Sequence, residues 1–336
     1  KFIVPASSKA QSLKDLKGRA IAIDGYNALY QFLSSIRQAD GTPLTDSKGR
    51  ITSHLSGTFH RTANLLEAGI KPIYVFDGAP NPLKAGTLRE RRQRKELAQA
   101  QWEEALAAGD METARTKAQQ TSRLTKDMVV QAKHLLEFMG VPWVDAKEDG
   151  EAQASYMAIK GEVYAAASQD YDSLLFGAPV LVRNLTLSGR RKLPKRNVYV
   201  DVVPETIRLS EVLAALRITR EQLVDMGVVM GTDFNPGVKG IGPKKALKLI
   251  QEFGSGQAAI EAKKLDVPGF ENIREIFLKP KTTDDYSLDW KPLDRAGVES
   301  MLCENFEFSP QRLQSAMDKI TEGQKARAQR SLDSWF

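Results

Sequence analysis

Ile73-Tyr74-Val75-Phe76-Asp77-Gly78 is a run of large apolar residues that stops at a carboxylate and a glycine. Unbroken apolar character, without alternation, predicts a strand covered on both faces, as in a parallel sheet. Asp-Gly then predicts a turn at its carboxyl end. The same signature recurs on either side. Ala20-Ile21-Ala22-Ile23 is followed by Asp24, and Val163-Tyr164-Ala165-Ala166-Ala167 by Ser168-Gln169-Asp170-Tyr171-Asp172. Val180-Leu181-Val182 is a further apolar run. Helical patterns lie between them, at Ala28–Arg37, Leu55–Glu67, Lys126–Phe138 and Glu151–Lys160. Alternating strands and helices predict an α/β fold, a central and mostly parallel sheet flanked by helices with right-handed crossovers.

In an open sheet of this kind, function gathers at the carboxyl ends of the strands. The runs above deliver Asp24, Asp77, Asp170 and Asp172 to one edge. Asp149 and Glu151 open the helix before the third strand, where a helix amino terminus favours negative charge, and reach the same edge. Asp233, in Gly231-Thr232-Asp233, lies between an apolar helix and a Gly/Pro turn. One aspartate after a strand is an ordinary turn or capping residue. The repetition, with paired carboxylates at i and i+2, points beyond that. Seven carboxylates at one place repel unless cations sit among them. Cys303 is the only cysteine, and His54, His60 and His134 lack zinc-type spacing. Hard divalent ions on oxygen ligands, Mg²⁺ or Mn²⁺, are therefore expected. Two ions about 4 Å apart suit in-line attack of water on a phosphodiester. No Ser/His/Asp triad, Cys/His pair or G-x-x-x-x-G-K-[ST] phosphate loop competes with this reading.

Composition narrows the class. Of 336 residues, 42% are hydrophobic, with 24 Gly and 15 Pro, which excludes collagen-like and wholly disordered chains. No apolar run approaches the length of a membrane span, and Lys1 to Ser12 lack the apolar core of a secretory signal. The lone cysteine excludes an internal disulfide and points to a reducing, intracellular compartment. Lys and Arg number 48 against 42 Asp and Glu, a mild bias toward a polyanionic partner. Placement says more. Leu88 to Ser122 is poor in apolar residues, and Lys84, Arg89, Arg91, Arg92, Arg94 and Lys95 crowd its start. It reads as a solvent-exposed helical excursion over about 84–126, in the plainest case a solvated charged helix.

From Leu209 the pattern stays helical. Thr219-Arg220-Glu221-Gln222 has capping-box spacing. Gly240-Ile241-Gly242 allows a tight turn with exposed N–H groups, and Pro243 suits the first position of a following helix. Such N–H groups bind anions, and Lys244 and Lys245 add charge. A bare G-x-G is an ordinary helix-helix turn. Gly-Ile-Gly-Pro-Lys-Lys between two amphipathic helices predicts a helix-hairpin-helix over 219–253 that grips DNA backbone without reading sequence. Past Pro280 the signals thin, and Trp290, Leu302, Phe306 and Phe308 predict a packing segment within 260–325.

The ordered blocks Ala22-Ile23-Asp24, Tyr30-Gln31-Phe32-Leu33, Thr52-Ser53-His54-Leu55, Gly69 to Gly78, Gly150-Glu151-Ala152-Gln153-Ala154, Ser168 to Gly177, Val182 to Thr186 and Gly231 to Gly237 carry a resemblance. Over nearly its whole length the chain resembles the flap structure-specific endonuclease family of 5′ nucleases, archaeal branch. The resemblance implies one PIN-like nuclease core over 1–325, with an amino-terminal region at 1–100, an internal region at 127–260, and the excursion as a helical arch that passes the 5′ flap. It implies cleavage of 5′ flaps with associated 5′–3′ exonuclease activity, in Okazaki fragment maturation and long-patch base excision repair. The expected cofactor is two Mg²⁺, with Mn²⁺ as the alternative. The metal ligands would be Asp24, Asp77, Asp149, Glu151, Asp170, Asp172 and Asp233, the set already reached from the strand ends. Lys84 and Arg91 match the basic pair on the scissile phosphate, and Tyr30 the aromatic that stacks on a base near the cut. Arg37 and Arg61 match basic residues on the DNA side, joining Gly240, Gly242, Lys244 and Lys245 of the hairpin. Two departures stand out. The family usually has Glu where this chain has Asp149, and the chain begins at Lys1 without the family's Met-Gly start.

Gln329-Arg330-Ser331-Leu332-Asp333-Ser334-Trp335-Phe336 has the form Q-x-x-L-x-x-aromatic-aromatic. One tight helical turn would put Leu332, Trp335 and Phe336 on a single apolar face, either folded back on the body or docked in a partner. The pattern resembles the sliding-clamp-binding (PCNA-type) peptide of replication and repair proteins, which makes 329–336 a clamp-binding tail. No basic nuclear-targeting tail follows it. The expectation is a cytoplasmic monomer acting on branched DNA with a 5′ flap, without a membrane. Two other readings remain beside it. One is the excision-repair or exonuclease branch of the superfamily, which the short arch disfavours. The other is a non-catalytic DNA-binding clamp adaptor, hinted at by Asp149 alone.

Overall fold

The computed structural model describes residues 8–38, 40–187, 190–192 and 199–333. In chain order the elements are β1 (Ser8–Ala10), β2 (Ala20–Asp24), α1 (Gly25–Ser35), α2 (Ser53–Glu67), β3 (Lys71–Phe76), α3 (Ala85–Ala107), α4 (Met111–Ala118), α5 (Lys126–Phe138), β4 (Trp143–Asp145), α6 (Gly150–Ile159), β5 (Ala165–Ala167) and α7 (Asp172–Leu175). They continue with β6 (Val180–Arg183), β7 (Arg190–Lys192), β8 (Tyr199–Asp201), β9 (Glu205–Arg208), α8 (Leu209–Leu216), α9 (Arg220–Met230), α10 (Pro243–Phe253), α11 (Gly256–Lys263), α12 (Phe270–Leu278), α13 (Arg295–Glu299) and α14 (Pro310–Asp333). The main sheet has seven strands in the order β1-β9-β6-β5-β2-β3-β4, and β7 pairs with β8. β5 is parallel to β6, with Ala166 opposite Leu181, whereas β9 is antiparallel to both β6 and β1. The fold is therefore α/β with a mostly parallel sheet flanked by helices, as the alternation of strands and helices requires. Among the described residues no helix is long and apolar enough to cross a membrane.

The chain forms two compact units. The first comprises residues 1–11, 75–89 and 145–285. Its core joins Leu174 and Leu181 to Ile207, Val212, Met226 and Ile250, so the hairpin helices α9 and α10 share a core with strands β6 and β9. A second cluster packs Val224, Val228 and Phe234 against Phe270, Ile273 and Phe277. The second unit comprises residues 12–74, 90–144 and 286–336. There Leu55, Phe59, Ala63 and Leu66 form the buried stripe of α2. α14 buries Leu313, Ala316, Met317 and Ile320, a 3–4 spaced stripe. A Cβ on Gly323 would lie 2.5 Å from the Leu66 carbonyl oxygen, so the two helices meet backbone to backbone.

Several expectations need correction. The strand expected at Val163 to Ala167 is only Ala165–Ala167. The N–H groups of Gly161, Glu162 and Val163 bond back to Ala158 and Met157 and finish α6. β1, β4 and β9 carried no continuous apolar run. Each is three or four residues long, and β1 forms one edge of the sheet and β4 the other. α14 was unforeseen because its one apolar stripe is diluted in a polar helix. Leu302 and Phe306 are buried as expected of the packing segment, but Trp290 and Phe308 are only half-buried. The excursion is helical, as α3 and α4, and α3 buries only Ala98 and Ala105.

Candidate active site

Six of the seven predicted carboxylates belong to the first unit, at the ends of its strands and helices. Asp77 follows β3 and accepts the N–H of Gly150 at 2.7 Å. A side chain at Gly150 would crowd that contact, its Cβ lying 2.9 Å from the Asp77 Oδ1. Asp149 is the N-cap of α6, where its Oδ1 accepts from Glu151 N at 3.0 Å and Ala152 N at 3.3 Å. Its Oδ2 pairs with the Lys84 ammonium. Asp is among the strongest N-cap residues, which gives Asp149 a local structural role at this position. Asp170 and Asp172 flank the start of α7. Asp233 sits in a turn closed by Asn235, whose Oδ1 accepts from Thr232 N at 3.1 Å and Thr232 Oγ1 at 2.9 Å. Asp24 lies in the second unit, at the end of β2, and caps α1 by accepting Asn27 N–H at 2.9 Å.

Ser168 had no assigned role in the sequence reading, yet it joins the Glu151 carboxylate to the backbone of Asp170. Its hydroxyl donates to Glu151 Oε1 and accepts the N–H of Asp170 at 3.1 Å. A small hydroxyl residue between a strand and the first aspartate was the signal available for it.

The electrostatics are those of a crowded anion site. Burial first, then the charge of Asp149, pushes the Asp77 carboxyl up to about 6. Burial, then Asp233 and Asp170, pushes Asp172 up to about 7. Burial alone would lower the Lys84 ammonium, but Asp149, Asp77 and Asp233 together raise it. Among the described residues no three carboxylate, imidazole or thiol groups converge as ligands of one ion. The donor chemistry nevertheless fits hard divalent cations. It is all carboxylate oxygen, and Asp77 and Asp172 repel their neighbours enough to hold protons near neutral pH.

That repulsion has a measurable consequence. Because the folded protein raises the Asp172 carboxyl, ionising it costs stability, and the cost grows as pH rises from about 4 through about 7. In EDTA, Asp172→Asn should raise the melting temperature at pH 8 and leave it unchanged at pH 4. Equal melting temperatures at both pH values would remove the repulsion from the account.

The remaining predicted residues divide between the units. The segment expected to form the hairpin runs from α9 to α10. Thr219 and Gln222 form the capping box, Gly240 has φ +83°, and Gly242 caps α10 ahead of Pro243. Nothing lies within 4 Å of a Cβ placed on Gly240 or Gly242, so this backbone face is open. Lys245 Nζ donates to the Gly240 carbonyl at 3.0 Å, and Lys244 is on the same first turn. In the second unit, Tyr30 is 38% exposed and Lys95 Nζ lies 4.2 Å from its ring centroid. Arg91 lies on α3, near enough to Lys95 to help lower the Lys95 ammonium, after burial. Arg61 is half-buried, and burial lowers its guanidinium. Arg37 was expected to face DNA, but each of its guanidinium nitrogens has an internal partner, Leu33 O, Gly41 O and Ser122 Oγ, at 2.9, 2.8 and 2.9 Å. Gln329 and Leu332 fall on the last turns of α14, while Trp335 and Phe336 lie outside the described residues.

Residues 1–98 match the XPG N-terminal domain and residues 140–233 the XPG I-region. The chain is 53% identical over 329 residues to "Flap endonuclease 1" of Pyrococcus abyssi, covering 98% of this chain and 95% of that protein. The solved flap endonuclease-1 from Methanococcus jannaschii is similar at a TM-score of 0.76 and 45% identity, over 96% of this chain and 98% of that one. The Holliday junction-resolving enzyme GEN1, in complex with product DNA and Mg²⁺, shares the fold alone, with a TM-score of 0.61 and 19% identity over 94% of this chain and 75% of that one.

Proposed function

The chain belongs to the flap endonuclease family of metal-dependent nucleases that hydrolyse DNA phosphodiester bonds at 5′ flaps, and from that premise we propose how its residues divide the work. The observation that carries the reading is the cluster of carboxylates around Lys84, which pairs with Asp149, with Asp77 and Asp172 both held toward their protonated forms. Asp77, Asp149, Glu151, Asp170, Asp172 and Asp233 of the first unit would hold the divalent ions, two Mg²⁺. When bound, the ions supply Lewis acidity that activates water and offsets charge on the phosphate. Ser168 holds Glu151 and Asp170 in register for that task. Lys84 exchanges Asp149 for an oxygen of the scissile phosphate, and Arg91 adds a second charge from α3. Tyr30, partly covered by Lys95, would stack on a base near the cut. α3 and α4 would form the arch that passes the flap. Cleavage of labelled 5′-flap, 3′-overhang and hairpin substrates with Mg²⁺, and its loss in EDTA, tests this. Equal cleavage of all three substrates would overturn the flap specificity.

The hairpin would bind duplex through open N–H groups and two lysines. Lys244→Ala with Lys245→Ala should weaken binding to any duplex sequence and flatten the dependence of log K on log salt by about 1.8. An unchanged salt slope would remove these lysines from the interface.

The tail would tether the enzyme to a sliding clamp during replication and long-patch repair. Buried aromatic anchors carry most of such a peptide's binding energy. Trp335→Ala with Phe336→Ala should abolish clamp binding and clamp stimulation while clamp-free cleavage stays near wild type. The isolated peptide should bind in the region of ~1 μM, because ordering it costs free energy. Calorimetry against the clamp of the same organism decides this, and unchanged affinity in the double variant would place the aromatics elsewhere.

A further inference from the structure

Two contacts join the foot of α3 to the turn that carries Asp233. The Thr87 hydroxyl donates to the Asp233 carbonyl oxygen at 2.8 Å, across 146 residues of sequence. Three residues earlier, the Lys84 ammonium lies 5.0 Å from the centroid of the Phe234 ring. The receiving turn is rigid. Asn235 fastens it through Thr232 and donates from Nδ2 to the Val228 carbonyl at 2.8 Å. Phe234 is buried, edge-on to Phe277 at 5.4 Å, which in turn lies 4.9 Å from Phe176. The donating segment is not rigid on its own. From Pro82 to Glu90 every residue but Lys84 and Thr87 is exposed. Gly86 between them has open space around it and lowers helix propensity at the first turn.

We propose that Thr87 is a positioning residue for the cleavage reaction, its hydroxyl clasping the foot of α3 to the Asp233–Phe234 turn so that Lys84 is held over the carboxylates. The hydroxyl is not turned back onto its own helix, where a threonine ordinarily finds an acceptor one turn earlier. It is spent on the residue whose side chain belongs to the acidic group. Lys84 and Thr87 are i and i+3, neighbours on one face, so the height of one sets the height of the other. A displacement of about 1 Å of a phosphate-binding group is enough to cost orders of magnitude in rate. This inference rests on the phosphate role given to Lys84 above.

The test is a double-mutant cycle on the full chain. Thr87→Val keeps the shape and removes the hydroxyl. It should slow single-turnover cleavage of a labelled 5′-flap duplex about tenfold, with melting temperature lowered by no more than about 4 °C and flap affinity in EDTA unchanged. Thr87→Ser should restore the rate to within about twofold. In the Lys84→Ala background, Thr87→Val should change nothing further. A slow Lys84→Ala enzyme in which Thr87→Val still costs its full factor overturns the clasp alone. A Lys84→Ala enzyme that cleaves at the wild-type rate overturns the role of Lys84, and the clasp with it. An unaltered rate in Thr87→Val, or no rescue by serine, also overturns it.

Discussion

Asp172→Ala should lower 5′-flap cleavage at saturating Mg²⁺ by at least about a thousandfold, with Asp170→Ala close behind. Metal-borne charge stabilisation in phosphoryl chemistry is worth several kcal/mol, and each ~1.4 kcal/mol is a factor of ten. Burial, Asp233 and Asp170 all resist the ionisation of Asp172. A group held in that state gains from a cation. Flap binding in EDTA should survive either substitution, because Gly240, Gly242, Lys244 and Lys245 are untouched. Single-turnover rates and fluorescence anisotropy on the same flap duplex separate the two effects. Full activity in either variant would end the assignment of these carboxylates to the metal ions.

The second large effect belongs to Lys84. Removing a preorganised charge from the site of developing negative charge costs on the order of 10²–10³ in rate. Lys84→Ala should therefore depress single-turnover cleavage by that factor while affinity changes by less than about threefold, since one phosphate contact among many is lost. The hairpin lysines should show the opposite ratio. Lys84 also neutralises Asp149 in the metal-free protein. Its removal should accordingly lower the melting temperature in EDTA at pH 8, where Asp149, Asp77 and Asp172 then face one another without it. If Lys84→Ala and the Lys244/Lys245 double variant lost affinity and rate in the same proportion, the separation of positioning from binding would be wrong.

The positions of the acidic residues were legible because they follow a rule of the fold. A strand buried on both faces must be written in apolar residues, so a carboxylate marks where Ile73 to Phe76 and Ala20 to Ile23 end. The glycine hairpin was legible for a related reason. The positive φ of Gly240 and the extended cap at Gly242 need particular residues at particular steps. α14 was hidden, because Leu313, Ala316, Met317 and Ile320 form a stripe only when α2 is there to receive it.

The sequence by itself determined the α/β class, the order of the carboxylates, the exposed basic helix and the hairpin, since each is a local pattern of polarity or backbone freedom. Only the tertiary structure decided how individual polar atoms are spent. Arg37 turns its guanidinium inward to Leu33, Gly41 and Ser122. Ser168 bridges Glu151 and Asp170, and Asp149 divides its two oxygens between a helix cap and Lys84. Thr87 reaches Asp233. A hydrogen bond is short and directional, and several of these partners lie tens to more than a hundred residues away. Periodicity carries no record of such pairings, which exist only once the chain has folded.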